Sequence, residues 1–138
     1  MEDAVSNVAM YVARGCLVVP IEVELYDDSM RQIQKAVLES ITETGIKGVI
    51  IELSGVNIID AFLCRTIFDT ARMVSLVGAT AVLTGIKPEV AASLSEFDLK
   101  FYDIQTAITI EESFHRLEPL VESKEEAVEE EDHGDDVG

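Results

Sequence analysis

The chain has 138 residues, 48% of them hydrophobic, with no Trp and 6% aromatics. That is enough for one domain and one core rather than two. Twenty-seven acids against ten bases give a net charge of −17, which argues against nucleic acid or an anionic membrane as a partner held by the general field.

The N-terminal stretch from Val8 to Leu25 reads as two short strands around Arg14-Gly15. Cys16 to Val23 is apolar and largely β-branched. Pro20 cannot donate to a ladder, so it suggests an edge or a bulge. Glu22 and Glu24 alternate with Ile21, Val23 and Leu25, as on a strand with one wet face. Asp27-Asp28 open a helix in which Met30, Ile33, Val37 and Ile41 form one stripe, and Gly45 suits its C-terminal cap.

Gly48 to Leu53 is a buried strand, broken by Ser54-Gly55. Asp60 suits the N-cap of a second helix running to about Val77, with Leu63, Ile67, Ala71 and Val74 inward. Arg65, Asp69 and Arg72 fall on its other faces. Ala79 to Leu83 is a further strand. Pro88 sits at the first position of a third helix ending near Phe97. Leu99 to Ile104 is the last strand. Thr109 and Glu112 make a capping box for a final helix, which Pro119 should end at Leu117 or Glu118. Strands alternating with helices after an opening hairpin specify an α/β domain with a mainly parallel sheet and about four helices.

The charge divides unevenly. Residues 122–138 hold nine acids and one base, a net of −8, which leaves −9 for residues 1–121. The domain is therefore expected over 1–121. The acidic tail over 122–138 has little to bury and is expected to stay disordered. No apolar run approaches the ~20 residues that span a bilayer. Met1-Glu2-Asp3 lacks the order of a signal peptide. A soluble, cytoplasmic protein with no membrane or nucleic-acid partner is the expectation.

Chemistry is sparse. Cys16 and Cys64 lie far apart in apolar surroundings, as reduced core residues do. His115 reads as a surface residue and His133 lies in the tail. No metal-ligand cluster, phosphate-cradling glycine loop or local nucleophile–base pair is present, so no enzyme, metal or cofactor is expected. A response-regulator receiver would need an Asp where Glu52 stands.

The segment Val49-Ile50-Ile51-Glu52-Leu53-Ser54-Gly55-Val56-Asn57-Ile58-Ile59-Asp60 resembles the strand-to-helix segment of STAS domains, the family of sulfate transporters and anti-sigma factor antagonists. Val77-Gly78-Ala79 and the run from Val82 through Thr84-Gly85-Ile86-Lys87-Pro88 to Ala91 look like the next STAS strand and helix. The resemblance covers roughly residues 9–119 and is nearest to the RsbS-type scaffolds of the bacterial stressosome.

It implies a single STAS domain, a non-enzymatic scaffold and anti-sigma factor antagonist. The implied partners are stressosome paralogues of the RsbR type, a serine/threonine switch kinase of the RsbT type, and further copies in a homodimer or larger assembly. In the family, the residue after the Asp at the helix start is the phosphoacceptor serine. Here it is Ala61, whose methyl group accepts no phosphate. Two origins fit: a scaffold that has lost its switch, or a substitution that fixes the unmodified state. Ser93 matches a second family phosphorylation position. Asp60, Ala61, Phe62 and Arg65 form the implied partner-binding surface. A free-standing antagonist of an anti-sigma kinase and a small-ligand-sensing α/β module are the alternatives.

Overall fold

The computed structural model describes residues 9–22, 27–97 and 104–122. Five strands, β1 (Tyr11–Ala13), β2 (Cys16–Pro20), β3 (Gly48–Glu52), β4 (Thr80–Thr84) and β5 (Gln105–Ala107), form one sheet in consecutive order. β1 pairs antiparallel with β2, and the remaining pairs are parallel. The helices are α1 (Asp27–Thr44), α2 (Ala61–Leu76), α3 (Pro88–Glu96) and α4 (110–122). The α/β class, the hairpin, the mainly parallel sheet and the four helices are as the sequence specifies.

The inner strands β2, β3 and β4 are buried on both faces, because helices cover both. Leu17, Val19, Val49, Ile51, Ala81 and Leu83 point to one side, into a cluster with residues of α1, α2 and α3. Cys16, Val18, Ile50, Val82 and Ala107 point to the other, against Phe114 and Leu117 of α4. Each β–α–β step from β2 to β5 moves in the same direction across the sheet. Right-handed crossovers therefore place α1, α2 and α3 on one face.

The α1 stripe is buried throughout, at Met30, Ile33, Val37 and Ile41. The Gly45 N–H donates to the Ile41 carbonyl at 2.8 Å and closes the helix. In α2 the buried face is wider than the expected stripe. Cys64, Thr66, Phe68 and Thr70 join Ile67, Ala71 and Val74, whereas Leu63 is only half-buried. On the Thr66–Thr70 edge the cause is a second neighbour: α1 packs beside α2, and Gln34 Nε2 donates to Thr70 Oγ1 at 3.0 Å, while Cys64 and Phe68 extend the opposite edge of the face that joins the larger core cluster.

Four expectations are corrected. β2 ends at Pro20; Ile21 and Glu22 are irregular, and residues 23–25 of the expected alternation lie outside the described residues. β2 is an interior strand rather than an edge. Pro20 is tolerated because β1 pairs only as far as Val18, and the neighbouring Ile21 N–H carries the bond to the Glu52 carbonyl. β5 is Gln105–Ala107, paired with Val82, Leu83 and Thr84; of the expected strand Leu99–Ile104, Ile104 is irregular and 99–103 lie outside the described residues. Finally, α4 runs through Pro119 to residue 122. The ring costs one backbone bond, and the turn beyond it is held by packing: Leu117 is fully buried and Val121 packs on the face that α4 covers.

The hairpin turn explains that contact. Arg14 and Gly15 have φ of 51° and 78°, the left-handed pair that a two-residue hairpin needs. A Cβ on Gly15 would come within 2.7 Å of Val121 Cγ1. Arg14 stays in its unusual conformation with its guanidinium 4.7 Å above the Phe114 ring and Nη1 donating to Glu111 Oε2 at 3.0 Å. At the start of α4, Glu112 N–H donates to Thr109 Oγ1, and the Ile108 N–H donates back to Glu112 Oε2, both at 3.1 Å. The Arg116 hydrogen bond, and then the Ile108 N–H, hold the Glu112 carboxyl below its ordinary range.

Thr84 is 1% exposed, and its Oγ1 has no hydrogen-bond partner. A buried hydroxyl left unpaired costs stability that an isosteric methyl does not. Thr84→Val is expected to stabilise the domain by about 1 kcal/mol, read as a higher urea midpoint at unchanged slope.

Candidate functional site

The candidate site is the entry to α2. Val56 and Ile59 are buried and Ile58, between them, is 84% exposed. Asp60 follows with extended backbone, φ −98° and ψ 175°. Its Oδ1 accepts from the Leu63 N–H at 2.8 Å, and its carbonyl from the Cys64 N–H at 3.0 Å. This is the side-chain cap expected of Asp at that position. Ala61 is the first helical residue and is exposed.

Helix geometry decides what this position can do. The first N–H groups of a helix have no partner within it, and the macrodipole favours negative charge there. Asp60 satisfies the Leu63 N–H. An anion on residue 61 would stand at the positive end of α2 and next to the Asp60 carboxylate. A phosphate, at about −1.5 to −2 charges, would therefore change the local potential sharply.

Arg65 stands one turn below Ala61 and is exposed. Phe62 is half-buried and packs against the larger core cluster, so only part of its ring faces outward. Asp60, Ala61, Phe62 and Arg65 thus share the first turn and a half of one helix. Ser93 is on α3, half-buried, with Oγ donating to the Glu89 carbonyl at 3.2 Å. α2 and α3 lie on the same face of the sheet, and Lys87 Nζ donates to Asn57 Oδ1, linking the loops that lead into them.

Sequence reasoning missed Ile58 and the Lys87–Asn57 link. The run Val56-Asn57-Ile58-Ile59 held a signal for the first, since adjacent Ile58 and Ile59 need not face the same way. The second joins residues thirty apart and had no local signal.

The approach of these loops is tight at Gly85, which has φ of 76°. A Cβ there would come within 2.9 Å of the Ser54 N and closer still to Glu52 Oε2. Glu52 in turn accepts from the Ser54 N–H at 2.9 Å and the Ser54 hydroxyl at 2.7 Å. Its carboxylate is therefore engaged in shaping the turn.

Both thiols are buried, and burial pushes them up, Cys64 to about 11 despite the opposing charge of Arg65. They are protonated at neutral pH. His115 is exposed, with Nδ1 3.6 Å from Glu118 Oε2. Among the described residues, no three His, Cys, Asp or Glu side chains converge as metal ligands, and no helix is long and apolar enough to cross a membrane. Among the described residues the strand order is consecutive, without the reversal at which open α/β sheets form a crevice at their strand ends. Two surface cavities, of about 210 and 400 Å³, lie along β5, and neither is lined by Asp60, Ala61 or Arg65.

The STAS domain family matches residues 7–117. A serine-to-glutamate variant of Moorella thermoacetica RsbS superposes with a TM-score of 0.74 at 33% identity, covering 84% of this chain and 98% of that one. A chain from the structure titled as the molecular architecture of the stressosome superposes with a TM-score of 0.72, also at 33% identity, covering 80% of this chain and 96% of its own. The RsbT co-antagonist protein RsbRD of Bacillus subtilis is 26% identical over 106 residues, 77% of this chain. The chain spans only 38% of the length of that relative.

Proposed function

The chain belongs to the STAS domain family, among its stressosome and anti-sigma factor antagonist members, and on that premise we propose that it is a non-enzymatic stressosome scaffold. In this reading it co-assembles with RsbR-type paralogues and captures an RsbT-type serine/threonine kinase through the start of α2. Asp60, Ala61, the outward part of Phe62 and Arg65 form the capturing surface. Position 61 is where the family's switch serine stands, and Ser93 is a second candidate for modification.

The observation that carries the reading is the setting of Ala61. It is exposed at the first residue of a helix, beside an Asp60 cap that already holds the Leu63 N–H. A hydroxyl there would be open to a kinase, and its phosphate would meet the helix dipole. With a methyl group instead, capture persists and phosphorylation cannot release the kinase.

The test is the Ala61→Ser variant, incubated with the cognate kinase and ATP and mapped by mass spectrometry. Phosphate is expected at residue 61 of the variant and not at residue 61 of the parent chain. No incorporation at 61 in the variant would remove the switch from this reading. Phosphate at Ser93 in both chains would identify the second site.

A further inference from the structure

The four helices differ in charge. α2 is net positive, with Arg65 and Arg72 against Asp69, whereas acids outnumber bases in each of α1, α3 and α4. At 100° per residue, Ala61, Arg65, Arg72 and Leu76 fall within an arc of about 60°, one ridge down the outward side of α2. All four are exposed, Leu76 to 84%. Neither arginine has an ion-pair partner among the described residues, and Asp69, half-buried between them, pairs with neither. The ridge begins at position 61, so it is continuous with the surface assigned to kinase capture.

Size and charge decide what can cover this ridge. Arg72 stands about 10 Å along the helix axis from Arg65 and about 16 Å from Ala61. A standard interface buries about 800 Å² on each partner, a patch about 30 Å across. A partner centred on Ala61 and Arg65 therefore covers Arg72 as well. Covering a guanidinium with apolar or cationic surface leaves a charge desolvated and unanswered, which is costly. A carboxylate answers it, with two parallel hydrogen bonds to the planar group.

We propose that the surface of the captured kinase that lies on α2 is acidic, with carboxylates that pair with Arg65 and Arg72, and that Arg72 is a capture residue three turns beyond position 61. The inference rests on the reading of α2 as the capturing helix, and adds to it the charge of the partner and the length of the contact. It also gives position 61 its leverage. An anion on that residue would face the same carboxylates, and their repulsion would add to the cost of desolvating it.

The experiment measures binding of the full chain to its cognate kinase by calorimetry, at about 50 mM NaCl and at about 1 M, where screening shortens to about 3 Å. Arg72→Glu is expected to weaken binding about tenfold or more at low salt and to come within about threefold of the parent chain at high salt. Arg72→Lys keeps the charge without the paired hydrogen bonds, and should fall between the two. Lys35→Glu makes the same change of charge at an exposed position of α1 and should shift the affinity by less than about twofold. These positions are exposed, so the urea midpoint should hardly move in any variant. An Arg72→Glu affinity equal to the parent's, a loss matched by Lys35→Glu, or a loss that persists in full at high salt overturns the proposal. If the parent chain binds the kinase and Ala61→Glu weakens it while Arg72→Glu does not, the capture reading stands and this inference fails. A parent chain that binds no kinase removes both. A dimer of the chain alone, seen by sedimentation and dissociated by Arg72→Glu, assigns the ridge to a second copy and likewise overturns the proposal.

Discussion

A carboxylate at the first residue of α2, Ala61→Glu, is expected to leave the fold intact and to weaken kinase capture about tenfold or more, which is 1.4 kcal/mol of binding. The fold should tolerate it because residue 61 is exposed and its backbone is set by the Asp60 cap. The helix dipole favours an acid there by about 0.3–1 kcal/mol. Repulsion from Asp60, at about 6 Å in a watery setting, opposes it by about 0.7 kcal/mol. The two nearly cancel, so the urea midpoint should hardly move. Binding differs, because an interface that seats a methyl group must desolvate the new charge without a partner. Ala61→Gln, of similar size and no charge, separates bulk from charge. Affinity measured by calorimetry should fall far more for Glu than for Gln. Equal, unchanged affinities for both variants would place the capturing surface elsewhere.

What could be read from the sequence follows from the range of the interactions. Helix stripes, caps and turn glycines are set by neighbours a few residues apart. Met30, Ile33, Val37 and Ile41, the Asp60 cap and the Thr109–Glu112 pair were therefore legible. The features that escaped depend on distant partners. Thr66 and Thr70 are buried on the side where α1 lies beside α2, which no periodicity within α2 announces. The helix continues past Pro119 because Val121 meets a hairpin more than a hundred residues away. β5 sits where β4 offers it backbone partners, with Val82, Leu83 and Thr84 opposite Gln105, Thr106 and Ala107. At the site, the location of Ala61 came from a motif, while the half-burial of Phe62 and the exposure of Ile58 needed the packed structure.

Phe68→Ala is expected to cost about 3–5 kcal/mol, a large part of the 5–15 kcal/mol that a domain of this kind has in total. Phe68 is 1% exposed and is the largest fully buried side chain among the described residues. It belongs to the cluster that α1, α2 and α3 form with Leu17, Val19, Val49, Ile51, Ala81 and Leu83. Those six residues sit on strands paired in register, so the sheet cannot collapse into the space a ring vacates. The loss is therefore transfer free energy plus a retained cavity, rather than transfer alone. With a urea slope of about 2 kcal/mol per molar, the midpoint should drop by about 2 M. Leu76→Ala, on the same helix but 84% exposed, should cost within about 0.5 kcal/mol. Phe68→Leu should fall between them, since it keeps most of the apolar contact. Equal midpoints for Phe68→Ala and Leu76→Ala would contradict the packing of α2 on the sheet. The same packing fixes the direction in which α2 presents Ala61 and Arg65. Because the cavity lies two turns below the helix start and the cap is local, Phe68→Ala should reduce the folded fraction while leaving the partner affinity of the folded molecules close to that of the parent chain.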